Sequence, residues 1–151
     1  MLALVKEADG PGNVCLCEVP EPEVGAGQVR IAIQAAGICG SDLHILHGDI
    51  KLLLRPPVIM GHEFAGIIDQ VGAGVQSWRE GDRVTAETTV RSCGECLSCR
   101  TGYYNRCGCK EILGYVHDGA FAPYVVVSAG RLHRLLPEVD FISAAMAEPL
   151  A

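Results

Sequence analysis

The chain has 151 residues, of which 49% are hydrophobic and 20% charged, a composition typical of one soluble globular domain. A net charge of −6 without any basic run argues against a nucleic-acid partner, because binding a phosphate backbone needs clustered cations. Charges at Lys6, Glu7 and Asp9 interrupt the N-terminus before a signal-peptide core, and the sequence has no apolar stretch of about 18 residues. We therefore expect a cytoplasmic protein with no membrane partner.

Alternating or β-branched apolar residues predict short strands along the whole chain. In chain order they cover 2–6, 14–19, 28–36, 64–71, 82–87 and 120–127, and the alternation is clearest in 28–36. Ser41 is predicted to cap a short helix over roughly 42–47. A second helix is expected after Pro137, with 143–147 inside it. Many short strands and few helices indicate a mainly β fold, a partly closed barrel.

Four of the eight cysteines lie within fifteen residues, and these are Cys93, Cys96, Cys99 and Cys107. Their overlapping C-x2-C turns bring sulfur donors to one ion, which suits tetrahedral zinc. In a reducing compartment such cysteines more often bind metal, although disulfides or unliganded thiols are the alternative. Cys109 could compete with Cys107, but the spacing of seven residues after Cys99 favours Cys107. We predict a closed, structural zinc site in a lobe over about 91–110.

A second group of potential metal ligands is spread along the chain and consists of Cys39, His62, Glu63 and Glu148. Each is weak evidence alone, since a single cysteine at a strand end is more often a small buried hydrophobe. Together they offer a thiolate, an imidazole and two carboxylates, enough for zinc with three protein ligands and one open position. Such an ion is a Lewis acid that lowers the pKa of a bound hydroxyl, as alcohol oxidation requires.

Several stretches, in this order, resemble the zinc-containing medium-chain alcohol dehydrogenases over essentially the whole chain. They are 37–44 (GICGSDLH), 61–66 (GHEFAG), 71–75 (VGAGV), 81–84 (GDRV), the four-cysteine lobe and 148–150 (EPL). At the position of Glu148, other alcohol dehydrogenases have a third cysteine ligand. A glutamate there resembles the sorbitol (polyol) and threonine dehydrogenase branch. The resemblance implies that 1–151 form the N-terminal GroES-like catalytic domain. That domain is a partly open β-barrel with a few short helices and a zinc-binding lobe.

The resemblance also implies roles for the spread ligands. Cys39, His62 and Glu63 would hold a catalytic zinc ion, with Glu148 as an exchanging ligand or one that binds through water. Together with the lobe, this gives two zinc ions per chain.

A proton relay beside the catalytic zinc is implied as well. Asp42 would accept the imidazole N–H of His62 and orient the ring. Ser41 would take the hydroxyl proton of the substrate, and His44 would pass it to solvent. The alternative for His44 is a solvated surface histidine.

A hydride acceptor is needed, and this chain has no dinucleotide-binding fingerprint. Gly72 and Gly74 are interpreted as a hairpin turn, because Ser77 stands where the third glycine of that fingerprint is required. The resemblance implies a Rossmann domain after 151, absent from this chain, that binds NAD or NADP. We therefore expect the isolated chain to be inactive. The resemblance also implies that the full-length protein is a homo-dimer or homo-tetramer.

The leading interpretation is an NAD(P)-dependent zinc enzyme that oxidises a secondary alcohol in a small molecule: a polyol, sugar alcohol, diol or threonine. One alternative is a zinc-stabilised GroES-like structural or interaction module, in which only the four-cysteine site matters. Another is a zinc-free quinone or enoyl reductase, but that branch lacks the ligand set found here.

The remaining cysteines and histidines are interpreted as structural. Cys15 and Cys17 lie two apart on a predicted strand, so both point to one face and are interpreted as packing residues. The histidines without a spaced partner are His47, His117 and His133.

Overall fold

Short β-strands make up most of the regular structure, which is a computed structural model describing residues 1–50 and 53–151. The strands are β1 (Leu2–Lys6), β2 (Val14–Glu18), β3 (Gln28–Gly37), β4 (Val58–Ile59), β5 (Glu63–Val71), β6 (Arg83–Ala86), β7 (Thr89–Arg91), β8 (Glu111–Ile112), β9 (Tyr124–Ser128) and β10 (Leu132–Arg134). The helices are α1 (Gly40–His47), α2 (Leu97–Arg100) and α3 (Phe141–Ala145), with 3-10 turns at Tyr104–Arg106 and Ala129–Arg131. The mainly β prediction is confirmed.

Three antiparallel sheets form a curled half-barrel, as expected of a partly open GroES-like barrel. The largest has five strands in the order β10-β6-β5-β3-β9, the second is β2-β1-β4, and the third is the pair β7-β8. The core of the five-stranded sheet is aliphatic, with Val29, Ile31 and Val84 fully buried around Phe64. Alternate residues of β3 supply this core because successive side chains of a strand point to opposite faces.

The pairing of β3 with β5 determines where the stretches 37–44 and 61–66 meet in space. These strands are paired from Val29 opposite Val71 to Gly37 opposite Glu63, with two irregularities in the register along β3. The end of β3 therefore lies beside the start of β5. The loop that follows Gly37 is brought next to the residues that precede β5.

Both predicted helices exist, but their boundaries differ from the prediction. Cys39, in an extended conformation, is the N-cap of α1, and its backbone N–H donates to the Asp42 carboxylate at 2.9 Å. The assignment of Ser41 as the cap was therefore wrong. Helix α3 is capped by Asp140, whose side chain accepts from the Ser143 amide, and it ends at Ala145 rather than continuing to 147. No helix in the described residues is long and apolar enough to cross a membrane.

Strand boundaries were predicted well where the alternation is long and poorly where pairing is brief. The strand expected at 120–127 begins only at Tyr124, because 119–121 hydrogen-bond irregularly with 59–61. Four strands of two or three residues were not predicted: β4, β7, β8 and β10. Segments of two or three residues are too short to show an alternation of apolar and polar residues. They form strands because of the strands that they pair with.

Candidate metal centres

Cys39, His62 and Glu63 are brought together, with one potential ligand atom from each lying within 4.8 Å of the others. Cys39 comes from the start of α1, His62 immediately precedes β5, and Glu63 is the first residue of β5. His62 and Glu63 are each only 5% exposed, whereas Cys39 is half-buried. A thiol, an imidazole and a carboxylate in this arrangement fit a zinc ion with three protein ligands.

Glycine makes the close approach at this centre possible. A Cβ added to Gly37 would lie 2.5 Å from the Glu63 carboxylate, so this glycine leaves room for the acid. Gly61 has a φ of 90°, a left-handed conformation that favours glycine, and a Cβ there would meet the Phe121 ring. Gly119 packs on the same backbone, and its added Cβ would lie 2.1 Å from the Gly61 carbonyl oxygen. The backbone that leads into His62 is therefore tightly constrained.

Gly119→Ala is expected to weaken metal binding at His62 by about tenfold and to destabilise the fold by about 1–3 kcal/mol. The new methyl group has to displace the backbone at Met60 and Gly61. Zinc affinity by chelator competition and urea unfolding measure the two effects. Gly130→Ala is the matched control, since its Cβ would meet only the Ser128 hydroxyl at 4.0 Å. Equal behaviour of the two variants would contradict this account.

Asp42 lies behind the imidazole, as predicted, but at more than hydrogen-bonding distance. Its Oδ1 is 3.7 Å from His62 Nδ1, and both atoms are buried without a hydrogen-bond partner in the described part of the chain. Burial raises the pKa of Asp42, while the Cys39 amide and His62 oppose that rise. The two unpaired atoms are a carboxylate oxygen and an imidazole nitrogen, which can hydrogen-bond to each other. A shift of less than 1 Å would form the predicted contact.

Ser41 faces the other nitrogen of the same ring. Its Oγ lies 3.3 Å from His62 Nε2, so the hydroxyl is beside the three-residue centre. His44 is instead 62% exposed and contacts Asp49, at 3.1 Å between Nδ1 and Oδ2. That contact fits the alternative of a solvated surface histidine, and the relay role of His44 stays a prediction.

Tyr115 also borders the centre and was not singled out from the sequence. Its ring centroid lies 5.8 Å from that of His62, and burial raises the pKa of the phenol. An isolated tyrosine far along the chain carries no spacing signal that could have identified it.

Glu148 lies outside the group formed by the three ligands. It follows α3 and lines a cleft of about 800 Å³ together with Glu87 and His133. Its role as an exchanging or water-mediated ligand stays a prediction.

The four predicted lobe cysteines also converge, with sulfur atoms within 4.8 Å of one another: Cys93, Cys96, Cys99 and Cys107. The sulfur of Cys93 lies 3.8 Å from that of Cys99 and 3.5 Å from that of Cys107. All eight cysteines of the chain are free, which argues against the disulfide alternative. Cys109 is exposed and is not a member of the group.

Backbone amides favour the thiolate form of one cysteine in this lobe. The N–H of Cys96 donates to Cys93 Sγ at 3.4 Å, and the N–H of Cys109 donates to Cys107 Sγ at 3.4 Å. The amides of Cys96 and Glu95 are the main causes that lower the pKa of Cys93 to about 6. Hydrogen bonds to the charged form favour a thiolate, which is the form that binds zinc.

A polar network joins the lobe to the barrel. The Tyr104 hydroxyl donates to both carboxylate oxygens of Glu87, at 2.8 and 2.7 Å, and the Arg131 guanidinium stacks 3.8 Å from the Tyr104 ring centroid. His133 adds a contact of 3.3 Å to Glu87. His133 thus has a partner that sequence spacing could not indicate, as does His117, which lies 2.6 Å from Glu111.

Tyr104→Phe is expected to destabilise the zinc-loaded chain by about 1–2 kcal/mol, because a hydrogen bond to a charged acceptor is lost. Tyr103→Phe is the control, since Tyr103 is its neighbour and is 60% exposed. Urea unfolding of both variants measures the difference. A loss in Tyr103→Phe as large as in Tyr104→Phe would rule out the network as the cause.

Comparison with known proteins places the chain in a family. The profile of the alcohol dehydrogenase GroES-like domain matches residues 25–138. Sorbitol dehydrogenase of Halalkalibacterium halodurans is 46% identical over 151 residues, which are 100% of this chain and 43% of that protein. L-threonine 3-dehydrogenase of Bacillus subtilis is 41% identical over 152 residues, covering 99% of this chain and 43% of that protein.

A solved structure gives the same result. A Sinorhizobium meliloti protein, provisionally classed as a zinc-binding dehydrogenase and bound to NADP, is 36% identical. It superimposes with a TM-score of 0.91 over 99% of this chain and 42% of its own. The chain thus spans less than half the length of these relatives. It belongs to the alcohol dehydrogenase GroES-like domain family, within the zinc-containing medium-chain dehydrogenases that include sorbitol and threonine dehydrogenases.

Proposed function

We propose that this chain is the zinc- and substrate-binding part of a dehydrogenase that oxidises a secondary alcohol with NAD or NADP. The observation that carries the proposal is the convergence of Cys39, His62 and Glu63 within 4.8 Å, separate from the four-cysteine lobe. The substrate classes are a polyol, sugar alcohol, diol or threonine. Relatives named sorbitol dehydrogenase and L-threonine 3-dehydrogenase support this range.

Different side chains of this centre would bind the metal, accept the hydroxyl proton and orient the imidazole. Zinc, when bound by Cys39, His62 and Glu63, would supply a Lewis acid for the substrate hydroxyl. Ser41, beside Nε2 of His62, is placed to accept the hydroxyl proton. Asp42 lies buried on the far side of the imidazole, 3.7 Å from Nδ1, where it would orient the ring. A nicotinamide coenzyme, when bound by the whole protein, would supply the acceptor for the hydride on the substrate carbon.

The coenzyme site is proposed to lie in a Rossmann domain that follows residue 151. Support comes from the length of the relatives, of which this chain covers 43%, and from NADP in the Sinorhizobium meliloti structure. Residues 1–151 would then form one GroES-like domain with the lobe over about 91–110. Assembly of the whole protein into a dimer or tetramer and a cytoplasmic location remain predictions.

A structural or interaction module is the second candidate. It explains the four-cysteine site but gives no reason for a second donor set. A module has no need of His62 and Glu63, both 5% exposed beside a half-buried thiol. Burying such polar groups is costly unless they are satisfied, and a metal ion would satisfy them.

The test is turnover of the whole protein with sorbitol, other sugar alcohols, butane-2,3-diol and threonine, each with NAD and NADP. We expect reduction of coenzyme with at least one of these alcohols, and a fall in kcat of about 10²–10⁴-fold in Ser41→Ala. Ser98→Ala, in the lobe, is the control and should retain full kcat. The chain of 1–151 alone should show no turnover. A fully zinc-loaded whole protein that reduces neither coenzyme would favour the module instead.

A further inference from the structure

Lys6 is a fully buried lysine whose ammonium group is used inside the fold. It is the last residue of β1 and is 0% exposed. Its Nζ donates to the carbonyl oxygens of Gly10 and Gly12, at 2.5 Å each. A buried charge is costly unless it is hydrogen-bonded, so these two carbonyls are the compensation that keeps the ammonium in place. Lysine is rarely found fully buried, so a specific role is expected.

The two carbonyls belong to a tight loop that is built around the ammonium. Gly10 and Gly12 have φ angles of 89° and 69°, and Asn13 has a φ of 51°. Two of these residues are glycines and the third is asparagine, the residue types that adopt the left-handed conformation most readily, so the sequence allows this tight turn. The Asn13 side chain closes the loop by donating to the Asp9 carbonyl at 2.8 Å. Lys6 therefore serves this loop as an internal cation.

The same loop contacts the C-terminal end of α1. The Gly12 N–H donates to the Leu46 carbonyl oxygen at 2.6 Å. Gly48, the left-handed C-cap of α1, packs so closely that an added Cβ would lie 2.6 Å from the Pro11 nitrogen. One loop thus supplies a hydrogen-bond donor to the last turn of the helix and a surface for its cap.

Helix α1 has few other anchors. Only Asp42 and Ile45 of its eight residues are buried. Ile45 packs on a small cluster that includes Tyr115. The opposite end of the helix begins at Cys39 and carries Ser41. A change at the C-terminal end would therefore be transmitted along the helix to the side chains that face His62.

We propose that Lys6 is a positioning residue: through the 10–12 loop it fixes α1, and so sets where Cys39 and Ser41 lie relative to His62. The inference rests on the proposed function for its consequence in catalysis. Its consequence for metal binding can be measured without turnover. Among the described residues, the Lys6 side chain hydrogen-bonds to Gly10 and Gly12 and not to the three ligands, so its effect would pass through the loop and the helix.

The experiment compares Lys6→Met with Asp82→Asn in the whole protein. Methionine keeps the length of the side chain and removes the ammonium. Asp82→Asn removes a buried carboxylate whose hydrogen-bond partners, Arg79 and Arg134 (at 2.6 Å), lie outside α1 and the 10–12 loop, and so controls for general loss of stability. Metal affinity at each centre is measured by chelator competition. The visible spectrum of cobalt placed at the Cys39 centre reports the ligand geometry.

Lys6→Met should weaken metal binding at the Cys39 centre by about tenfold or more and shift the cobalt bands. The four-cysteine lobe should keep its affinity, and Asp82→Asn should change neither centre. If Lys6→Met retains wild-type affinity and spectrum, or if Asp82→Asn reproduces its effect, the proposal is overturned. Should Lys6→Met not fold, Gly48→Ala disturbs the same contact from the helix side and has to give the same selective loss.

These outcomes separate the positioning role from the proposed function. If the wild-type protein oxidises alcohols while Lys6→Met leaves the metal centre and kcat unchanged, only the positioning role fails. If the wild-type protein oxidises no alcohol but Lys6→Met still weakens the Cys39 centre, only the proposed function fails.

Discussion

Replacing Cys39 and His62 together with alanine is expected to lower the zinc content from two ions per chain to one. The two candidate centres share no residue, so removing two ligands from one leaves the four thiols of the other intact. Three protein ligands would hold the first ion, and a single remaining carboxylate would not retain zinc against chelators. The measurement is zinc per folded chain by elemental analysis after dialysis.

A matched double variant controls for the loss of a cysteine and a histidine as such. Cys15→Ala with His47→Ala removes the same two residue types, but neither residue belongs to a donor group in the described residues. This control should keep both ions. One ion in both wild type and Cys39/His62 variant would mean that the second centre does not bind zinc in this chain. Repeating the count after adding excess zinc then tests whether that centre is weak or unable to bind.

Local sequence patterns predicted the long strands because each has its own signal. In the first half of strand β3, buried Val29 and Ile31 alternate with partly exposed residues, and the prediction of 28–36 matches Gln28–Gly37 within one residue. Strand β4 has only two residues and exists because Val5 and Lys6 of β1 pair with Ile59 and Val58. Because these partners are far apart in the sequence, the local pattern of residues around β4 does not predict the strand.

The two metal centres differ in how far sequence could define them. The lobe cysteines lie within fifteen residues, so their spacing alone predicts one site. Cys39 and His62 lie in separate segments that the pairing of Gly37 with Glu63 brings together. The family resemblance indicated that they share a site, and their spacing could not.

The supporting residues were missed for a related reason. Lys6 and Gly119 contact backbone atoms of other segments. Because any residue type can supply a backbone atom, the sequence does not reveal such contacts. Glu87 and Tyr104 are 17 residues apart and belong to different substructures. Sequence therefore indicates the chemistry of the ligands better than it indicates what holds them in place.

Cys107→Ala should abolish zinc binding in the lobe and unfold that lobe, whereas Cys109→Ala should change neither. Cys107 is the buried member of its group at 3% exposure, while Cys109, two residues later, is exposed. A structural zinc site contributes on the order of 10 kcal/mol to folding, so its loss exceeds any other single change considered for this chain. Zinc content and proteolysis of the lobe between 91 and 110 are the measurements.

The pair also decides which cysteine completes the site. If Cys109→Ala loses the lobe zinc and Cys107→Ala keeps it, the spacing argument fails and the fourth ligand is Cys109. If each variant alone keeps zinc but the double variant loses it, the two thiols exchange as ligand. Retention in the double variant would mean that three cysteines suffice and that the site is open rather than closed. An open lobe would then have to be considered as a reactive centre in its own right, because an unfilled coordination position is what separates catalytic from structural zinc.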